Sequence, residues 1–220
     1  MNVSEAVATR RAVRAFSPQP VPLEILRSVL DKARMAPSGC NYQPWEAVVL
    51  TGEPLLAVQT AVWAATPQDD PEYVIHPPAL PAHYKGRLEE AMRPLYQSIG
   101  IERSDAAARK AFTDRNRHGF GAPALLLCFI PRCMGHPQWA DLGIWLQTVM
   151  LLLREAGLDS CAQGYLSYFA RLIKSCVGID DASQTLFCGL AIGYRDADNP
   201  LNLSARSRVA LDQQIKFLGF

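Results

Sequence analysis

Several patterns that often reveal a protein's chemistry are missing from this sequence of 220 residues. None of its six cysteines forms a Cys-x-x-Cys pair, and its four histidines show no HExxH or other paired-ligand spacing, which argues against a zinc site. There is also no Gly-x-Ser-x-Gly motif and no constellation of paired carboxylates. The sequence therefore does not indicate catalysis by a side-chain nucleophile or an acid–base dyad.

An excess of charge and long apolar runs are also absent. The 22 basic residues, only five of them lysines, balance 21 acidic ones, so a net charge of +1 gives no field to attract nucleic acid or an anionic membrane. The longest apolar stretch, around 149–153, is too short to cross a bilayer, and the amino terminus lacks the apolar region of a signal peptide. Because Cys128 and Cys188 lie in apolar runs as core thiols, we expect a reducing, cytoplasmic location.

The spacing of apolar residues, and the prolines and glycines that interrupt it, predict one domain, spanning 1–220, of mixed helices and strands. The proline-rich loop over 66–82 is long for a compact domain, so we interpret 66–123, which is helical from 84 to 116, as a lid or substrate-pocket insertion. The segment 157–166 is interpreted as a connector. Apolar spacing predicts helices over 4–13, capped by Ser4, and over 22–35, 53–65, 138–156 and 167–177, and strands over 45–51, 124–130 and 185–194.

Arginines are concentrated near both ends of the chain. In "TRRAVRAF", Arg10 and Arg14 would share one face of the first helix, with Arg11 between them. In "NPLNLSARSR", Arg206 and Arg208 alternate in an extended segment, so their side chains would point the same way. Two interpretations stay open: these arginines are solvated cations, or they converge on a bound anion, for which a forked guanidinium is well suited.

Two connecting segments offer bare backbone to a ligand. The stretch "APSGCNYQPWEAVVL" places a small-residue turn between a helix and a strand, and "GLDSCAQGYL" places Gly164 after a polar residue. Each is either an ordinary connector or the place where a flat ligand lies close to the chain. We expect Cys40, inside the first segment, to be a buried thiol, and the alternative is a redox-sensitive thiol beside the ligand.

Taken in order, these segments resemble the FMN-dependent nitroreductase family. The family signatures are R-R-x-V-R-x-F, A-P-S-G-x-N-x-Q-P-W, D-x-G-x-x-x-Q, G-L-x-x-C-x-Q and a late N-x-x-x-x-R-x-R. The sequence matches them with Arg10 to Phe16, Ala36 to Trp45, Asp141 to Gln147, Gly157 to Gln163, and Asn202 to Arg208. The match spans nearly the whole chain.

The resemblance implies a role for each matched position. Arg10, Arg206 and Arg208 would bind the FMN phosphate, and Arg11 would lie along the ribityl chain. Arg14 would lie by the pyrimidine edge of the flavin, where a cation stabilises the charge that reduction creates. A loop from the other subunit would cover the flavin ring, with the residues Pro37, Ser38, Gly39 and Asn41. Gln163 and Gly164 would bring a backbone N–H near flavin N5.

The resemblance also implies the fold and the reaction. The fold would be α+β, a three-layer sandwich with a mostly antiparallel sheet flanked by helices, in an intertwined homodimer whose apolar carboxy-terminal arm embraces the partner. NADH or NADPH would reduce FMN, which would then reduce a nitroaromatic, quinone or related small-molecule acceptor. The candidate acceptor contacts are His83, Tyr84 and Phe120. Dehalogenation, flavin cleavage, a flavin-binding sensory protein and an anion-binding module without flavin remain alternatives.

Overall fold

The structure, a computed structural model, describes residues 1–220 and is built from helices around one antiparallel sheet. The strands are β1 (Glu46–Thr51), β2 (Ala124–Pro131), β3 (Asp159–Gln163) and β4 (Gln184–Gly193). The α-helices are α1 (Val3–Thr9), α2 (Leu23–Ala33), α3 (Gly52–Ala64), α4 (Ala82–Gln97), α5 (Ala106–Asp114), α6 (His136–Glu155), α7 (Ala170–Val177) and α8 (Pro200–Leu203). Short 3₁₀ segments cover Gly39–Asn41, Arg115–Gly121, Gly164–Phe169 and Leu211–Gln213.

The sheet has the order β1-β2-β4-β3, and all three pairings are antiparallel. The pairing of β2 with β4 shifts register between Cys128 and Phe129, so that Phe187 has no partner across the ladder. Such a β-bulge bends the strand and leaves the extra residue's backbone groups available to other partners. The predicted α+β class with an antiparallel sheet is confirmed.

Helices cover both faces of the sheet, which explains why β2 is apolar at every position. Its even-numbered residues, such as Leu126 and Ile130, pack with α2 and α6, while odd-numbered ones, such as Leu125 and Phe129, pack with α3 and α7. Because successive side chains of a strand point to opposite faces, burial on both faces gives a continuous apolar run rather than an alternating one. The three-layer arrangement predicted from the resemblance is confirmed.

The first helix is shorter than its sequence suggests. The α1 helix ends at Thr9 rather than continuing to residue 13, and Asn2, not Ser4, caps it in a reciprocal capping box with Glu5. The residues after Thr9 bond elsewhere: the Val13 N–H donates to Ser160 O at 3.1 Å. A long-range backbone partner therefore ends the helix where local spacing would have continued it.

The connector predicted over 157–166 is wrong in its main part, because residues 159–163 form β3. The strand is short and polar, so it lacks the alternation of apolar residues by which a strand is recognised in a sequence. Buried ion pairs secure its first residue: Asp159 accepts bonds from Arg195 at 2.6 Å and from Arg154 at 3.1 Å.

The region 66–123 contains α4, α5 and the irregular segment Arg115–Gly121. Residues 98–105 interrupt the predicted helical stretch 84–116, and Gly100 adopts a left-handed φ of 67° in that break. At the other end of the chain, all residues of 211–220 are exposed, including Ile215, Phe217, Leu218 and Phe220. None of the helices has both the length and the apolar character that a membrane crossing requires.

Candidate functional site

The amino-terminal arginines lie on an extended segment that crosses the edge of the sheet. Ala12 forms a parallel bridge with Ser160, and Phe16 forms an antiparallel bridge with Arg195. The predicted helical face shared by Arg10 and Arg14 is therefore wrong. An extended chain has a period of two, so Arg10 and Arg14 still lie on the same side of the segment, opposite the buried Val13.

The carboxy-terminal segment returns to this amino-terminal segment, and Asn202 joins the two. The residue is 2% exposed. Its Nδ2 donates to Ala15 O at 2.7 Å and Asp196 O at 2.8 Å, and its Oδ1 accepts the Arg14 N–H at 3.0 Å. Because every partner is a backbone group, Asn202 fixes the path of both segments.

Two of the predicted cofactor arginines take part in the same junction. The Arg11 guanidinium donates to Asn202 O and, at 2.6 Å, to Ser204 O. The Arg206 guanidinium donates to Ala8 O and Arg10 O, two carbonyls at the end of α1. Carbonyls at a helix end carry partial negative charge, so a cation is stabilised there.

Arg10, Arg206 and Arg208 form a cluster of guanidinium groups, which is called the phosphate cluster below after the role that the resemblance implies for it. Burial, and then the positive charges of Arg206 and Arg208, lower the pKa of Arg10. None of the three forms an ion pair with a carboxylate. Arg208 donates only to its neighbour Ser207 O. Repelling cations without a counter-charge are suited to binding an anion.

The loop at Pro37–Asn41 is held against α6 in an unusual backbone conformation. The Gly39 N–H donates to Asp141 Oδ2 at 3.1 Å, and the Gln43 N–H donates to Ser38 Oγ at 2.9 Å. Cys40 and Asn41 have φ values of 50° and 57°, in the left-handed region that costs free energy for residues other than glycine. Pro37, Gly39 and Asn41 are exposed, and the expectation that Cys40 is buried is wrong, because it is exposed as well.

Gln163 ends β3 with its side chain almost completely enclosed. It is 1% exposed, and its Nε2 donates to Asn116 O at 2.9 Å and to Asn116 Oδ1 at 3.2 Å. Its Oε1 has no hydrogen-bond partner. A buried acceptor without a donor is costly unless a bound molecule supplies one. Asn116 was not identified from the sequence, because the contact joins segments 47 residues apart.

Gly164 directly follows Gln163 and begins the 3₁₀ segment that leads to α7. Ser167 Oγ donates to Gly164 O at 2.8 Å, which holds the peptide group on its carboxyl side. On the other side, a Cβ placed on Gly164 would lie 3.7 Å from Ile75 Cγ2 and 4.0 Å from Tyr73 Oη. Tyr73 and Ile75 were not identified from the sequence, since nothing local indicates that the proline-rich loop returns to β3.

The three candidate substrate residues have different surroundings. His83 and Tyr84 are exposed at the start of α4, with ring centroids 4.1 Å apart. Phe120 is buried and has a φ of 56°, and the guanidinium carbons of Arg14 and Arg115 each lie 5.9 Å from its ring centroid. Arg14 is thus placed by Phe120 and by the backbone contact with Asn202.

Comparisons with known proteins identify the family of this chain. A sequence model described as the nitroreductase family matches residues 7–194. The chain is 36% identical to 4-nitrobenzoate reductase of Pseudomonas putida over 215 residues, covering 97% of this chain and 94% of that protein. It is 31% identical to chloronitrobenzene nitroreductase of Comamonas testosteroni over 220 residues, covering 98% and 96%.

A solved structure gives the same result for the fold. The FMN- and NADPH-dependent nitroreductase NfnB from Sphigopyxis sp. strain HMH superposes with a TM-score of 0.96 at 44% identity, over 100% of both chains. The agreement covers the sheet, its helices and both terminal segments that carry the arginines. This chain therefore belongs to the nitroreductase family.

Proposed function

We propose that this protein is an FMN-dependent nitroreductase that uses NADH or NADPH to reduce nitroaromatic compounds, quinones or related acceptors. One observation carries the proposal: the phosphate cluster gathers cations from both ends of the chain with no carboxylate to neutralise them. The family membership and the relatives' names, which specify FMN, NADPH and nitroaromatic substrates, support it.

The residues of this chain fit FMN at two separate places. The phosphate cluster suits a phosphate dianion, with Arg10 and Arg208 free to donate while Arg206 also holds the end of α1. The unpartnered Gln163 Oε1 suits the N–H donor that an isoalloxazine ring carries. The resemblance assigns Arg11 to the ribityl chain. In the structure its guanidinium donates to the backbone carbonyls of Asn202 and Ser204, so we propose instead that Arg11 holds the carboxy-terminal segment in place.

When bound, FMN supplies the redox chemistry, accepting a hydride from a nicotinamide and passing electrons to the acceptor. The chain contributes orientation and electrostatics. Arg14, beside Phe120, would provide a fixed cation for the negative charge that develops on the pyrimidine edge of a reduced flavin. By resemblance, the backbone N–H of Gly164 would lie near N5. No protonatable side chain is required at the reacting atoms.

We further propose that the site is completed in a homodimer. The exposed apolar residues of 211–220 need a partner surface, and a second copy provides one. The strained loop at Pro37–Asn41 makes its hydrogen bonds within itself and to α6, and none to the phosphate cluster of the same chain. This arrangement supports the assignment of the loop to the flavin of the other subunit.

Acceptor binding is assigned to the region 66–123. A cleft of about 790 Å³ lies along α4 and the start of α5, lined by residues that include Tyr96 and Arg109. The exposed rings of His83 and Tyr84 lie at the beginning of the same helix. We propose that this region forms the variable wall of the substrate pocket, which selects among flat acceptors.

The test is to purify the protein, record its visible spectrum after incubation with FMN, and follow NADPH and NADH oxidation with 4-nitrobenzoate or a quinone. We expect a yellow protein that oxidises one or both nicotinamides only when an acceptor is present. A yellow protein without turnover would indicate a flavin-binding protein, and a protein that stays colourless would exclude the proposal altogether.

Arg14 and Arg208 are expected to affect different steps. We predict that Arg14→Ala slows flavin reduction by about 10-fold or more, because a cation is lost where charge develops. Arg208→Ala should mainly weaken FMN binding, because its guanidinium has no other partner than Ser207 O. Titration of FMN into each apo variant and stopped-flow reduction at saturating FMN separate the two effects. Equal changes of both quantities in both variants would contradict this assignment.

A further inference from the structure

The proline-rich loop covers a part of β4 that the sheet leaves unpaired. β3 ends at Gln163, which pairs with Gly189, so residues 184–188 of β4 have no strand on that side. The Leu186 N–H donates instead to Glu72 Oε2 at 2.9 Å, and the Tyr73 hydroxyl donates to O of Phe187, the bulged residue. The segment 72–75 thus satisfies backbone groups of β4 that would otherwise be open.

A buried ion cluster anchors this segment to α7. The side chain of Lys174 is 0% exposed and that of Glu72 is 4% exposed, and the two are in contact. Lys174 Nζ also contacts Asp181 Oδ1 at 2.5 Å and donates to Gln184 O at 2.9 Å, while Arg132 pairs with Glu72 from the outer side. Two cations and two carboxylates balance each other, so the buried charges have the partners they require.

The anchored segment then reaches Gly164. The Tyr73 ring lies between Trp139, at 5.2 Å in a T-shaped contact, and Phe187, at 6.1 Å. Burial raises the pKa of Tyr73 to about 12, so its hydroxyl remains a hydrogen-bond donor even in alkaline solution. Tyr73 Oη and Ile75 Cγ2 are the atoms that lie nearest to the open side of Gly164.

We propose that the Glu72–Lys174 ion pair is a positioning device, which holds Tyr73 and Ile75 against Gly164 and so fixes the Gly164 peptide in the orientation that the flavin site needs. Ser167 holds the Gly164 carbonyl, which belongs to the next peptide group, and the 72–75 segment closes the side of Gly164 where glycine has no Cβ. This inference depends on the proposed function, because the role of the Gly164 N–H comes from the family resemblance. Glu72 and Tyr73 act through Gly164 and do not themselves contact the reacting atoms.

The test compares Glu72→Gln and Tyr73→Phe with the wild type in two states. In the apo protein, amide hydrogen exchange of residues 164–167, measured by mass spectrometry, should become about 10-fold faster in both variants. Local opening of this segment becomes more frequent when the contact with residues 72–75 is weakened. In the FMN-loaded protein, flavin reduction should slow by about 10-fold while the FMN Kd stays unchanged, because the Gly164 N–H would be displaced from its position beside the flavin. Glu72→Asp should restore part of both effects.

Matched controls are Glu24→Gln, an exposed glutamate of α2 without an ion pair, and Tyr194→Phe, whose backbone carbonyl rather than its hydroxyl forms a hydrogen bond. If Glu72→Gln does not fold, Glu72→Asp takes its place, because it keeps the charge but shortens the reach to Lys174, and Tyr73→Phe tests the contact with Gly164. Faster exchange confined to 72–75 and 184–188, with 164–167 and flavin reduction unchanged, would overturn the inference while leaving the proposed function intact. A wild type that binds no FMN would instead refute the proposed function, and the apo exchange would still test the contact with Gly164.

Discussion

Replacing Arg10 with alanine is expected to weaken FMN binding by about 10- to 100-fold, because a charge-assisted bond to a phosphate contributes about 1.5–3 kcal/mol. The same change should not destabilise the apo protein. The Arg10 guanidinium makes no hydrogen bond within the chain, and Arg206 and Arg208 repel it, so its removal relieves strain between like charges. The carbonyl of residue 10, which Arg206 uses, remains in the variant.

Both quantities are measured on the same preparation, by titrating FMN into the apo protein and by thermal unfolding without FMN. Arg27→Ala, on the exposed surface of α2, is the control for loss of one arginine and should change neither. Riboflavin, which lacks the phosphate, should bind to the wild type and to Arg10→Ala with the same affinity. An Arg10→Ala variant that loses apo stability and binds FMN normally would show that Arg10 has a structural role instead.

The second large effect is expected for Asn202→Ala, which should lower the free energy of unfolding by about 3 kcal/mol or more. The substitution leaves Ala15 O, Asp196 O and the Arg14 N–H without their buried partner. Because the late segment then keeps only the bonds that Arg11 and Arg206 make, Arg206 and Arg208 are held less firmly in position and FMN affinity falls as well. Chemical unfolding of the apo protein and FMN titration measure the two losses.

Leu203→Ala is the matched control. This neighbouring side chain in α8 is exposed, so its removal should change the free energy of unfolding by less than about 0.5 kcal/mol. Asn202→Asp should resemble Asn202→Ala, because a carboxylate accepts from Arg14 but cannot donate to the two carbonyls. If Asn202→Asp were as stable as the wild type, the hydrogen bonds from the Asn202 side-chain amide to these two carbonyls would not contribute to stability.

The sequence predicted the parts of the site that consecutive residues encode. Strong apolar runs indicated β2, β4 and α6, and the arginines that the ordered motifs select at both ends of the chain, Arg10, Arg206 and Arg208, lie close together in the structure. The helical face assigned to Arg10 and Arg14 failed because Val13 pairs with Ser160, a partner 147 residues further along the chain that no local pattern reveals.

The remaining misses have the same physical origin. Asn116 reaches Gln163, and Tyr73 reaches Phe187 and Gly164, through contacts between segments far apart in sequence. β3 escaped detection because its five residues, DSCAQ, owe their burial to Arg195, Arg154 and the adjoining strand rather than to apolar character. Long-range partners, not propensity, determine these positions.

The central claim is that cations from both ends of one chain bind the phosphate of FMN, in a cleft that a second copy completes. A crystal structure of the FMN-loaded protein tests it most directly. We expect the phosphate within hydrogen-bonding distance of Arg10, Arg206 and Arg208 of one chain, and the loop at Pro37–Asn41 of a second chain over the same flavin. A phosphate held elsewhere, with these three guanidinium groups facing solvent, or a flavin enclosed by one chain alone, would contradict the account.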